Sequence, residues 1–277
     1  MRALVHQLIH KCLGWLGYVI KALLYAGVSF QRIDKFLHEE EELENTQPPQ
    51  DYSEGSPITT LGMLGYKNAT LSWSKPDSED DSHFRLSALN IECTPGGLTV
   101  VSGPVGSGKT SFLLGLLGEM RLLEGQICLP REQGVAYVSQ TPWLQNATIR
   151  DNIIFGSGYD EKRYKAVLEA CALAADIEMF NMGDLTEVGE RGKPPLRPAL
   201  RNGSTHISLG VTLSGGQKAR LALARAVYSP TKIVLLDDVL SALDAGTVRT
   251  VVQRCIKGEV LRDRTVVLAT HQYVLTT

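Results

Sequence analysis

An apolar run from Leu98 to Ser102 ends in Gly103-Pro104-Val105-Gly106-Ser107-Gly108-Lys109-Thr110, and Ser111 then leads into Phe112, Leu113, Leu116 and Leu117 at helical spacing. A strand, a glycine-rich turn and a helix must follow one another without a break. Gly103, Gly106 and Gly108 permit a turn tight enough for several backbone amides, and the positive end of the helix, to face one anion. Lys109 adds a mobile cation for outer phosphates, and Thr110 offers a hydroxyl to Mg²⁺. Such octapeptides also arise by coincidence, but the flanking strand and helix favour a nucleotide-phosphate site.

A second element, Lys232-Ile-Val-Leu-Leu-Asp237-Asp238, has four apolar residues suited to a strand buried on both faces. It ends in two carboxylates, where α/β sheets build their sites. Taken alone, this is common as plain structure. Beside the glycine loop, Asp237 is suited to hold Mg²⁺ through water, opposite the Thr110 hydroxyl.

Many nucleotide enzymes share those two elements. The discriminating feature is Leu213-Ser214-Gly215-Gly216-Gln217, which runs straight into the helical Lys218 to Tyr228. At this point the chain resembles the ATP-binding cassette family. The resemblance implies an α/β P-loop NTPase fold of the ABC type: a parallel core sheet, an antiparallel β-subdomain near Tyr66 to Glu92, and a helical subdomain from about Ile149 to Ala226. It also implies that Ser214, Gly215 and Gly216 form a second anion site at a helix start, serving a nucleotide held by a partner domain and not by this chain's own loop.

Further motifs stand in the family's order: Gln140 in Tyr-Val-Ser-Gln-Thr-Pro-Trp, Asp244 in Ser-Ala-Leu-Asp, and His271 in Ala-Thr-His-Gln. By resemblance, Gln140 ligates Mg²⁺ and couples the site to a membrane part, Asp244 lies at a dimer seam, and His271 contacts the γ-phosphate. Trp73 matches the aromatic that stacks on adenine. Alone, His271 reads as an ordinary strand-end histidine and Trp73 as core. Segments 68–73, 140–153 and 235–244 narrow the likeness to the first nucleotide-binding domain of class C, multidrug-resistance-associated transporters.

ATP and Mg²⁺ are the cofactors this implies. The implied partners are a second nucleotide-binding domain and membrane domains, and the implied role is export of amphipathic organic anions, at the cytosolic face of the plasma membrane or vacuole. The alternatives are a nucleotide-sensing regulatory domain of a class C channel or receptor, a soluble cassette protein, and a non-functional fragment. Active family members carry Glu where this chain has Asp238, to orient the attacking water. One methylene less holds the base back by about 1.5 Å, a misplacement that costs roughly 100-fold in rate. Slow hydrolysis at the chain's own site is the expectation.

The rest of the sequence sets boundaries. Residues 1–37 contain Leu13, Leu16, Ile20, Leu23, Gly27 and Phe30 at helical spacing, with Lys21, Arg32 and Lys35 off that face. Two readings follow: an amphipathic helix docked on its own domain, or the cytosolic end of a membrane helix. The second is favoured because Val28 to Leu37 resembles the segment leaving a class C membrane domain. Residues 38–64 form an acidic, proline-containing linker, and 65–277 the nucleotide-binding domain. With 28 Lys+Arg against 30 Asp+Glu, nothing in the charge favours nucleic acid as a partner. Cys12, Cys93, Cys128, Cys171 and Cys255 lack Cys-x-x-Cys spacing, which argues against a zinc or disulfide framework and for a reducing compartment.

Two features depart from the family pattern. Residues 193–210 separate Gly-Glu-Arg-Gly192 from Val211, where class C chains pass almost directly. This stretch reads as a basic patch for a partner, or as a retained intron, since its ends can be encoded as splice signals whose in-frame removal restores Gly-Val-Thr-Leu-Ser-Gly-Gly. The sequence also stops at Thr277, shortly after His271, which leads to the expectation of a fragment whose His271-bearing strand is poorly supported.

Overall fold

The computed structural model describes residues 2–37, 63–73, 84–189 and 211–271, with side chains in the first segment from Trp15 onward. The acidic linker through residue 62, the patch at 76–82, the stretch at 193–210 and the last six residues lie outside the described residues. The chain divides into two units, 1–44 and 45–277. The first contains one continuous helix, α1 (Arg2–Leu37), whose side chains from Trp15 to Leu37 are exposed. No described helix is long and apolar enough to cross a membrane.

In the second unit, β1 (Leu64–Ser72), β2 (Arg85–Cys93), β3 (Leu98–Ser102), α2 (Lys109–Leu117), β4 (Arg121–Cys128) and β5 (Val135–Val138) come first. Next are β6 (Ala147–Thr148), α3 (Ile149–Ile154), α4 (Glu161–Ala170), α5 (Ala174–Glu178) and β7 (Glu187–Val188). The remainder is α6 (Gly215–Tyr228), β8 (Ile233–Asp237), α7 (Ala245–Val251) and β9 (Thr265–Thr270). An antiparallel sheet has the order β2-β1-β4, so it extends past Glu92 to take in β4, and its central strand starts at Leu64. A four-stranded parallel sheet has the order β3-β9-β8-β5.

Alternation within the central strands sets up two layers of core. Ile233 and Leu235 of β8, with Val267 and Ala269 of β9, pack against α2 and the antiparallel sheet through Phe112, Leu113, Leu116, Tyr66 and Leu71. Val234, Leu236, Val266 and Leu268 point to the opposite face, toward Leu221, Leu223 and Val227 of α6 and Ile153 of α3. Each fully buried Leu, Ile or Val contributes about 1.5–3 kcal/mol of transfer free energy. At Gly115, an added Cβ would lie 2.7 Å from both Leu71 Cδ1 and Tyr66 Oη, so glycine is what lets α2 sit this close to β1. The Tyr66 hydroxyl closes the contact by donating to the Phe112 carbonyl at 2.6 Å.

The strand that precedes His271 is not poorly supported. It occupies an interior place in the parallel sheet, bonded to β3 on one side and β8 on the other, and its residues from Val266 to Thr270 are buried.

Candidate nucleotide site

Because the four core strands run parallel, their carboxyl ends reach one edge of the sheet. They deliver the 103–108 loop after β3, Gln140 after β5, Asp237 and Asp238 at the end of β8, and His271 after β9. A pocket of about 340 Å³ opens there. It is lined by Val105, Gly106 and Gly108 of the loop, by Lys109, Thr110 and Ser111 of α2, by Gln140, Asp237, Asp238 and His271, and by the aromatic rings of Trp73 and Phe84.

The loop has the backbone its glycines make available. Gly106 and Gly108 take φ of 82° and 88°, and Gly108 stands as the left-handed N-cap of α2 without a side-chain cap, so the first amides of that helix are left to an incoming anion. The Lys109 ammonium donates to the Gly103 and Pro104 carbonyls at 3.0 and 2.8 Å, and the Ser107 amide donates to Pro104 O at 3.3 Å. Carbonyl partners hold the lysine over its own loop, where phosphate oxygens are the stronger acceptors.

Thr110 Oγ1 donates to Asp237 Oδ1 at 3.1 Å, so the two residues expected to share a metal converge. Tyr137 OH donates to the other oxygen, Oδ2, at 3.4 Å. Burial pushes the Asp237 carboxyl above the ordinary range, and the bonds from Thr110 and Tyr137 oppose that rise. A cation beside Asp237 relieves the same desolvation cost. Among the described residues no cluster of three or more His, Cys, Asp or Glu could hold a metal. The donor set of Thr110, Gln140 and Asp237, a hydroxyl, an amide oxygen and a carboxylate, fits a hard ion that takes its other oxygen ligands from phosphate and water, as Mg²⁺ does.

Asp238 is held differently. Its backbone adopts φ 49°, in the left-handed region, while its amide donates to Ala269 O at 2.8 Å. Such a conformation costs of order 1–3 kcal/mol in non-glycine residues and clusters at functional sites. His271 Nδ1 lies 2.9 and 3.1 Å from the two carboxylate oxygens, and Gln140 Nε2 donates to Oδ2 at 3.4 Å. A carboxylate only accepts, so Nδ1 carries the proton, and a neutral His271 offers Nε2 to its surroundings as an acceptor.

Trp73 is half-exposed, and its Nε1 donates to Ser111 Oγ at 3.3 Å. Phe84 was not singled out in the sequence. Its ring lies against the loop so closely that a Cβ on Gly108 would come 2.6 Å from Cζ. The available signal was an aromatic residue placed immediately before β2, after the acidic interruption.

None of Leu213 to Gln217 lines this pocket, and neither does Asp244. Ser214 is the N-cap of α6 in a reciprocal capping box: its hydroxyl accepts from Gln217 N at 3.2 Å, and its amide donates to Gln217 Oε1 at 2.9 Å. The Ser214 amide is thus engaged within the capping box. The hydroxyl proton and the Gly215 and Gly216 amides remain at the helix start. Gln217 Nε2 also donates to Asp176 Oδ1 at 2.8 Å, and Arg220 pairs with Asp176 Oδ2 at 2.6 Å and with the Ala172 carbonyl, which fixes the turn from below. Leu213 is buried, and Gly216 leaves just 3.0 Å between an added Cβ and Ala242 O. Asp244 caps α7, accepting from the Gly246 and Thr247 amides at 3.0 Å each.

Comparison with known proteins gives these motifs a family. The ABC transporter family model matches residues 86–241. The ATP-binding cassette transporter abc4 of Schizosaccharomyces pombe is 44% identical over 257 residues, covering 93% of this chain and 16% of that protein. The ATP-dependent bile acid permease of Saccharomyces cerevisiae is 40% identical over 283 residues, 97% of this chain and 15% of its own length. The ABC transporter C family member 3 of Dictyostelium discoideum is 40% identical over 262 residues, 94% of this chain and 16% of its own length. The chain thus spans about a sixth of the length of the curated relatives it matches. With the family model covering more than half of it, the chain belongs to the ABC transporter family.

Proposed function

We propose that this chain is the ATP-binding domain of a class C exporter, holding Mg-ATP at the 103–111 loop and hydrolysing it slowly. The observation that carries this reading is the meeting of Lys109, Thr110, Gln140, Asp237, Asp238 and His271 at one sheet edge, with the 213–217 turn outside that pocket. Trp73 would supply a flat face for adenine, Lys109 and the α2 amides would take the phosphates, and Thr110, Gln140 and Asp237 would hold Mg²⁺. Bound there, Mg²⁺ would neutralise charge on the outer phosphate oxygens. The exposed Ser214 turn would complete the site of a second nucleotide-binding domain, and α1 would leave a preceding membrane domain at the cytosolic face. The yeast relative, a bile acid permease by name, supports amphipathic organic anions as the exported class.

Titration of the chain with Mg-ATP tests this directly: binding that Lys109→Ala abolishes is the expected result, and absence of binding would favour a non-functional fragment. A second reading, a nucleotide-sensing domain of a channel or receptor, is favoured by Asp238, whose short carboxylate is already engaged by His271 and Gln140. Measuring substrate flux against gated conductance in the full-length protein separates the two.

A further inference from the structure

Helix α6 starts at the Ser214 turn and carries Arg225 near its far end. Burial lowers the pKa of this guanidinium, and no carboxylate among the described residues pairs with it. Its bonds run instead to the segment that follows Gln140. Nη1 donates to Trp143 O at 3.0 Å, Nε to Asn152 O at 2.9 Å, and Nη2 to Asn152 Oδ1 at 2.7 Å. The Phe155 and Trp143 rings lie over the guanidinium, their centroids 4.6 and 5.4 Å from Cζ. Asn152 is fully buried and extends the grip: Oδ1 accepts from Gln145 N at 2.9 Å, and Nδ2 donates to Gln145 O and Thr148 O, each at 3.0 Å.

At its other end this segment carries Gln140, which reaches Asp238 in the pocket. A path of bonded groups therefore leads from Asp238 through Gln140, Trp143 and Arg225 to the helix that presents Ser214. Two of the three acceptors that Arg225 grips, Trp143 O and Asn152 O, are backbone carbonyls, which cannot rotate away as side chains do, so a displacement of Gln140 along this segment would reach α6 through them. We propose that Arg225 is a positioning residue that ties the chain's own nucleotide pocket to the turn offered to the partner's nucleotide. The inference rests on the function proposed above. Lysine cannot replace it, because an ammonium lacks the planar fork that reaches three acceptors while packing against two rings.

The test is hydrogen exchange at amides 214–218 of the 277-residue chain, with and without Mg-ATP, beside a measurement of ATP affinity. In the unaltered chain, ATP should change exchange at the turn by about twofold or more, the scale of coupling carried by packed networks. In Arg225→Lys the affinity should hold while the response at the turn is lost. Asn152→Ala breaks the same junction from α3 and should reproduce the loss. A response retained in either variant, or ATP binding with no response in the unaltered chain, would overturn the inference and leave the proposed function standing. Loss of ATP affinity in both variants would make Arg225 a support of the pocket's fold, which also overturns it. Failure of the unaltered chain to bind Mg-ATP would overturn both.

Discussion

His271 Nδ1 sits 2.9 Å from Asp238 Oδ1, so the residue proposed as the catalytic base is bonded to the histidine expected to face the γ-phosphate. The carboxylate is one methylene shorter than in active relatives by resemblance, and it is turned by a left-handed backbone at φ 49°. On the function proposed above, the shorter side chain would hold the carboxylate back from a water beyond the phosphate. Asp238→Glu should therefore raise phosphate release at this site by up to about 100-fold when the domain is paired with its partner. An unchanged rate would mean that the length of the carboxylate is not what restrains hydrolysis.

Trp73 is expected to provide the base platform. Base–aromatic stacking contributes about 1–3 kcal/mol, so Trp73→Ala should weaken Mg-ATP binding by about tenfold. Trp73→Phe keeps a flat ring but loses the Nε1 bond to Ser111, and should bind within a few-fold of the unaltered chain. Titration calorimetry on both variants checks this, and equal losses would point to the Ser111 bond in place of stacking.

Arg264 holds the end of α6. Its Nη1 donates to Val227 O at 2.8 Å, and Nη2 donates to Ala226 O at 3.1 Å and Thr231 Oγ1 at 2.9 Å. Burial lowers its pKa to about 10, yet it stays charged at neutral pH. Arg264→Met should leave those carbonyls without partners and destabilise the domain by about 2–4 kcal/mol in urea unfolding, without a direct effect on the pocket.

How much of this was legible in the sequence depended on how local each signal was. The glycine loop, the strand ending in Asp237 and the Ser214 turn could be read because a strand, a tight turn and a helix start are fixed by neighbours in sequence. The third strand of the antiparallel sheet, Arg121–Cys128, was not assigned, since its pairing with β1 is long-range and its exposed middle breaks any alternation. The His271 strand was misjudged for a related reason: its stability comes from β3 and β8 on either side, which no local pattern reveals. Phe84 and the Arg225–Asn152 junction were likewise missed, because each matters only through residues remote in sequence.

Asp244 supplies a pH-dependent contribution. Bonds from Thr247 and Gly246 lower its pKa, so its stabilisation is present above the ordinary carboxylate pKa of about 4 and is lost as pH falls through the lower native value. The difference in melting temperature between the unaltered chain and Asp244→Ala should therefore shrink on acidification below about pH 4. A difference that grows instead would contradict the capping role.

The central claim is that Lys109 and Ser214 serve different nucleotides. The most direct test compares Mg-ATP affinity of the monomeric chain with those of Lys109→Ala and Ser214→Arg. Loss of binding in Lys109→Ala, with Ser214→Arg within about twofold of the unaltered chain, is the expected result, because the Ser214 turn does not line the pocket. Equal loss in the two variants would contradict it.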